Sequence, residues 1–158
     1  MRVRPADAGN RPDVDGFLEE HGSVRVARLG ELVDAREHPA LVLEADGRIA
    51  GVLTYVIERG RCEVLTFHAA ERWRGVGTAL IDEVARVASA AGCRSMWLVT
   101  TNDNVDALRF YQRRGFRLTD LRRGAVDESR RTLKPEIPET GEYGIRIRDE
   151  LVLERDLE

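Results

Sequence analysis

The chain has 158 residues, 42% hydrophobic and 34% charged, with a formal net charge of −3. That length and balance predict one soluble domain over residues 1–158, with a core of useful size. The acidic balance argues against non-specific nucleic-acid binding as the main activity. No apolar run approaches membrane-spanning length and no export signal opens the chain, so a cytoplasmic location without membrane contact is expected. The two cysteines, Cys62 and Cys93, lack metal-ligand spacing and read as buried free thiols, and no metal site is expected.

In chain order, residues 1–4 suit a short strand, and 13–21 a short helix stopped by Gly22. Residues 23–33 read both ways. Val24 and Val26 alternate around Arg25 as in a strand, whereas Leu29, Leu32 and Val33 have helical spacing. Segments 40–45 and 48–58 flank Asp46-Gly47, a preferred two-residue hairpin turn, and Arg59-Gly60-Arg61 reverses the chain again into 62–68. The result is a three-stranded antiparallel meander.

Beyond Gly75 a long amphipathic helix carries Leu80, Ile81, Val84, Val87, Ala88 and Ala91 on one face and ends at Gly92. Segment 95–100 is a nearly continuous apolar strand, as expected for one buried on both faces. Asp103 is placed to cap the next helix, which has Asp106 in its first turn and stops at Gly115. Phe110 is expected to pack on the sheet. Strands follow at 116–121 and 144–154. In the latter, Ile145, Ile147, Leu151 and Leu153 share a face, and strict alternation also turns Asp149 inward unless the strand bulges there. Between them, 126–133 suits a short helix within a long connecting segment, 122–143.

The stretch Glu71-Arg72-Trp73-Arg74-Gly75-Val76-Gly77-Thr78 joins a strand to a helix through glycines. Outward backbone N–H groups and the helix dipole make such a junction an anion site, and glycine admits close approach of a phosphate. It lacks the Gly-Lys-Ser/Thr of a P-loop and the third glycine of a dinucleotide fingerprint. A second pattern runs Asn104-x-x-Ala107-x-x-Phe110-Tyr111-x-x-x-Gly115-Phe116, with Asn104, Ala107 and Tyr111 stacked along one helix face.

Arg72, Gly75 and Gly77 resemble the Arg/Gln-x-x-Gly-x-Gly/Ala signature of the GNAT superfamily of N-acetyltransferases, and the second pattern is similar to the one that follows it there. The resemblance spans residues 40–122. Trp73 stands where many relatives have glycine. It implies an α/β (α+β) fold: a mixed, mostly antiparallel sheet of six to seven strands with about four helices, splayed between the fourth and fifth strands. These would be the strands at 62–68 and 95–100.

The resemblance further implies acetyl transfer from acetyl-coenzyme A to a primary amine by direct attack in a ternary complex. The pyrophosphate would lie against Arg72, Arg74, Gly75, Val76, Gly77 and Thr78. The pantetheine arm would pair with Leu65, Thr66 and Phe67, where an N–H polarises the thioester carbonyl. Asn104 and Ala107 would line the arm, and Tyr111 would donate a proton to the leaving thiolate.

An alkylammonium acceptor must lose a proton before it attacks. Glu63 is the candidate base, read by alternation as sharing a face with Leu65 and Phe67, with desolvation raising its pKa; the other reading puts it on the solvated side. Asp149, His68 or water are the alternatives, His68 being otherwise a strand-end surface histidine. Arg25 and Arg28 lie where relatives often place acceptor-binding elements, and are either carboxylate grips or solvated cations. The acceptor is expected to be a small-molecule or peptide amine, with a homodimer left open. A non-catalytic acyl-coenzyme A sensor is the competing reading.

Overall fold

The protein is described here from a computed structural model, which covers residues 2–70 and 75–158. Among these residues it has a mixed α/β architecture of four α-helices, nine strands and two short 3-10 turns. Seven strands belong to one mostly antiparallel sheet, and two form a separate hairpin. The chain divides into two compact units, residues 1–26, 34–96 and 157–158 in the first and residues 27–33 and 97–156 in the second.

In the first unit, strands β1 (Arg2–Pro5), β4 (Ala40–Ala45), β5 (Arg48–Glu58) and β6 (Arg61–Ala69) lie in that order, each antiparallel to its neighbour. Both meander turns have two left-handed residues, Asp46 and Gly47 at φ 53° and 73°, then Arg59 and Gly60 at 54° and 74°. That twist matches the flanking strands, which is why these short sequences reverse the chain so tightly.

Helix α2 (Val76–Ala90) packs across β1, β4, β5 and β6, burying Val76, Leu80, Ile81, Val84 and Ala88. Each fully buried Val, Leu or Ile contributes about 2 kcal/mol. Helix α1 (Arg11–Glu20) buries Val14 and Leu18. Cys62 and Cys93 are buried free thiols, as expected.

The register of β6 departs from simple alternation. Thr54 opposes Thr66 and Tyr55 opposes Val64, so Leu65 is an extra residue, a β-bulge. Beyond it the faces exchange. Glu63, opposite Val56, shares its face with Thr66 and His68, opposite Thr54 and Val52, whereas Phe67, opposite Leu53, joins the other face with Val64. The expected alignment of Glu63 with Phe67 is therefore corrected by the bulge. A Cβ on Gly51 would lie 2.6 Å from Val76 and 2.8 Å from Leu80, so the Leu53 and Phe67 face is the one that carries α2.

In the second unit the strand order is β7 (Ser95–Thr101, its first two residues counted with the first unit), β9 (Glu150–Asp156) and β8 (Arg117–Arg122). Helix α3 (Val105–Arg113) and helix α4 (Ala125–Thr132) complete it, with Leu98, Phe116, Val126 and Leu153 buried. The ambiguous stretch is a hairpin, β2 (Arg25–Arg28) and β3 (Glu31–Asp34), whose tip residues Leu29 and Gly30 are left-handed at φ 52° and 79°.

The last strand begins at Glu150 rather than near residue 144, because the N–H groups of Ile147, Arg148 and Asp149 go to Glu139 O and Asn102 Oδ1. Asp149 thus precedes the strand, and neither a bulge nor an inward turn is needed to explain it.

Candidate active site

The first unit holds the residues expected to meet the pyrophosphate and the thioester. Gly75 takes φ 83° at the N-cap of α2, a conformation that disfavours any residue with a Cβ. It offers no side chain to close the helix start, and the first turn of α2 has no acidic residue. Helices α1, α3 and α4 each carry a carboxylate there: Asp13, Asp106, and Asp127 with Glu128. The dipole at Val76, Gly77 and Thr78 is thus left without a carboxylate in the first turn, as an anion site requires. Arg72 and Arg74, the other expected pyrophosphate residues, lie outside the described residues, as does Trp73.

On β6, Leu65 and Thr66 are buried and Phe67 is half-buried. The Thr66 N–H donates to Thr54 Oγ1 at 3.1 Å, and the two hydroxyls lie 2.6 Å apart. That N–H is already engaged.

Glu63 is 3% exposed, which removes the solvated-edge reading. His68 is not a surface residue either. Its Nε2 is hydrogen-bonded to Ser23 Oγ, and its ring centroid lies 5.0 Å from His21 and 6.5 Å from Phe17. Burial, reinforced by the neighbouring His21, pushes its pKa down to about 4. It is neutral at pH 7.

The second unit holds Tyr111, the expected proton donor. Tyr111 is the one buried residue of α3, and it packs edge-on against Phe110 and Phe116, both at 5.5 Å. Burial raises its phenol well above the ordinary tyrosine range, so it is protonated throughout the neutral range. Phe110 is half-buried, with the Arg114 guanidinium 3.6 Å above its ring.

Asn104 is the N-cap residue of α3, and its Nδ2 donates to Thr100 Oγ1 at 3.0 Å. Ala107, one turn on, is half-buried. Asn104 and Tyr111 flank it at i−3 and i+4, so the expected spacing along one helix face is kept.

Asp103 does not cap α3. Its carboxylate accepts from Thr101 Oγ1 at 2.5 Å and from the Glu142 N–H at 3.2 Å. Asp149 accepts from the Gly124 N–H at 2.8 Å, at the start of α4.

Sequence reasoning passed over Asn102. Its Oδ1 accepts from the N–H groups of Arg148 and Asp149, and its Nδ2 donates to Arg146 O. Tyr143 donates to Asp106 on the first turn of α3 at 2.8 Å. Together Asn102, Asp103 and Asp106 strap residues 142–149 across the start of α3. The cue was an Asn-Asp-Asn run after a strand, but its partners lie about 40 residues away.

Among the described residues no group of three or more His, Cys, Asp and Glu is placed to hold a metal ion, and no helix is long and apolar enough to cross a membrane.

Residues 11–116 match the Acetyltransferase (GNAT) family. Two Bacillus subtilis proteins, each named only as uncharacterized, are similar in sequence. YxbD is 39% identical across the whole of both chains, and YdhI is 44% identical over 69% of this chain and 68% of that protein. Streptothricin acetyltransferase of Streptomyces lavendulae is 32% identical over 77% of this chain and 64% of its own length.

Two solved structures share the fold at 20% identity. IAA acetyltransferase from Bacillus cereus covers 99% of both chains at a TM-score of 0.74. A GNAT family acetyltransferase from Elizabethkingia anophelis, solved with acetyl-CoA bound, covers 99% of this chain and 97% of its own at 0.71. With two spaced glycines opening α2 and a buried tyrosine on α3, the chain belongs to the GNAT family of acetyltransferases.

Proposed function

We propose that residues 1–158 form one cytoplasmic acetyltransferase domain that moves the acetyl group of acetyl-coenzyme A onto a primary amine. The acceptor is a small molecule or peptide, attacked directly while both substrates are bound. The observation that carries this reading is the start of α2, where a left-handed glycine opens a helix whose first turn has no acidic residue. The acetyl-CoA held by the Elizabethkingia relative supports the same donor here.

In this reading Val76, Gly77 and Thr78 hold the pyrophosphate with their N–H groups, flanked by Arg72 and Arg74. The bulged stretch Leu65, Thr66 and Phe67 receives the pantetheine arm. Because the Thr66 N–H is taken by Thr54, the donor to the thioester oxygen is assigned to the unopposed Leu65.

Glu63 accepts the proton of the acceptor ammonium, directly or through water. As the amine nitrogen bonds to the acetyl carbon and the carbon–sulfur bond breaks, Tyr111 gives its proton to sulfur. Asn104 and Ala107 line the arm.

The test is thiol release from acetyl-coenzyme A across a panel of amines: polyamines, amino acids, aminoglycosides, streptothricin and peptides. Turnover on at least one amine supports the proposal. Tight binding of acetyl-coenzyme A without turnover on any of them favours a sensor instead.

A further inference from the structure

Glu150 is a carboxylate that the proposed chemistry does not use, and it is 2% exposed. Glutamate is almost never buried without partners, because desolvating the charge is expensive. Among the described residues its side chain meets two. Oε1 accepts the Leu29 N–H at 3.2 Å and lies 3.4 Å from Arg122 Nε on the adjacent strand.

Leu29 is the first of two left-handed residues at the tip of the β2–β3 hairpin. A positive φ there fixes the direction of the Leu29 N–H, so the carboxylate holds the tip by its backbone and is indifferent to the side chain. Arg122 opposes Glu150 in the β8–β9 register and sets its guanidinium beside the same carboxylate oxygen.

The position of this contact gives it a use. Glu150 opens β9, and the residue before it accepts the Asn102 N–H at 3.1 Å, immediately after the C-terminal end of β7. Asn104, bonded to Thr100, begins α3 at that same end of the second unit. In the reading above, Asn104 lines the arm whose thioester the acceptor attacks. The hairpin tip is therefore tied down beside the end of the sheet where Asn104 stands.

We propose that Glu150 is a positioning residue for acceptor recognition: its carboxylate clasps the Leu29 N–H and holds the β2–β3 tip as part of the acceptor-binding surface. This rests on the acetyltransferase reading above. The carboxylate touches neither substrate; it acts through the hairpin.

The test compares Glu150→Ala with Glu150→Gln, whose amide oxygen still accepts the Leu29 N–H. Wild type and both variants are assayed on the best amine of the panel, and exchange of the Leu29 amide is followed by NMR. In Glu150→Ala the Leu29 amide should exchange at least about tenfold faster and the acceptor KM should rise about tenfold, with the KM for acetyl-coenzyme A unchanged. Glu150→Gln should restore most of both.

Unchanged Leu29 exchange in Glu150→Ala overturns the clasp. Faster exchange with an unchanged acceptor KM, or an equal rise in the KM of both substrates, overturns its role in acceptor recognition. Equal losses in the Gln and Ala variants do so too, because they make charge rather than the hydrogen bond the cause. A wild-type protein that turns over no amine refutes the acetyltransferase reading and the acceptor role with it, while Leu29 exchange still decides the clasp.

Discussion

Tyr111→Phe is the sharpest probe of the proposed chemistry, because it removes one oxygen from a residue that is 7% exposed and changes almost nothing else. Phenylalanine keeps both edge-on contacts, with Phe110 and Phe116 at 5.5 Å, so the stability cost should stay near 1 kcal/mol. The kinetic cost should be larger. General acid catalysis is typically worth about 10²–10⁴-fold, but a thiol with pKa near 8.5 is a fair leaving group even without a proton.

The expected loss in kcat is therefore at least about tenfold, or ~1.4 kcal/mol of transition-state stabilisation. Thiol release at saturating acetyl-coenzyme A measures it, and calorimetric titration should find coenzyme A affinity nearly unchanged. Acyl donors with more acidic thiols should lose less rate, since they need the proton less. An unaltered kcat with the natural donor would remove Tyr111 from the mechanism.

The same variant makes a stability prediction. The folded state holds the phenol proton more tightly than the unfolded state, so this contribution is complete below the ordinary pKa near 10 and is lost as pH rises above it. Tyr111→Phe should flatten the alkaline fall of the unfolding free energy.

The remaining predictions concern the surrounding architecture. For His68, held at about 4 by burial and by His21, the stabilising contribution is present above the unfolded value of 6.5 and is lost as pH falls from there toward 4. Urea titrations at pH 7 and 4.5 should show wild type losing about 2–3 kcal/mol more than His68→Gln, and equal losses would contradict the burial argument. Gly51→Ala drives a Cβ to within 2.6 Å of Val76 and 2.8 Å of Leu80, and should cost about 1–3 kcal/mol while weakening coenzyme A binding at the start of α2. A thermal melt and a binding titration that both match wild type would refute it. Asn102→Ala removes three hydrogen bonds to residues 146–149 and should cost about 3 kcal/mol. Hydrogen exchange should accelerate across 142–149, and protection equal to wild type would show that the strap is held by other contacts.

Much of this molecule was legible before folding, and for local reasons. Asp46-Gly47 and Arg59-Gly60 specify their turns within two residues, and the apolar stripe of α2 repeats every three or four. Helix starts and stops were legible only in part. Asp103 looked like the cap of α3, yet Thr101 and Glu142 claim its carboxylate and Asn104 stands at the N-cap. Asp149 read as inward-facing or bulged because the strand was extended back to residue 144, whereas Asn102 takes the N–H groups of Arg148 and Asp149 and the strand starts at Glu150.

The sequence by itself determined the family. Two spaced glycines, an asparagine and a tyrosine seven residues apart, and a meander before them are short-range patterns that survive without knowledge of any partner strand. Only the tertiary structure decided how the side chains are presented. A single unopposed residue, Leu65, turns Glu63 to the face of Thr66 and His68 and away from Phe67, because side-chain direction follows the register with β5 and not the count along β6. The burial of Glu63, His68, Tyr111 and Glu150, and the tie from Glu150 to Leu29 across 121 positions of chain, arise from neighbours that no local window contains.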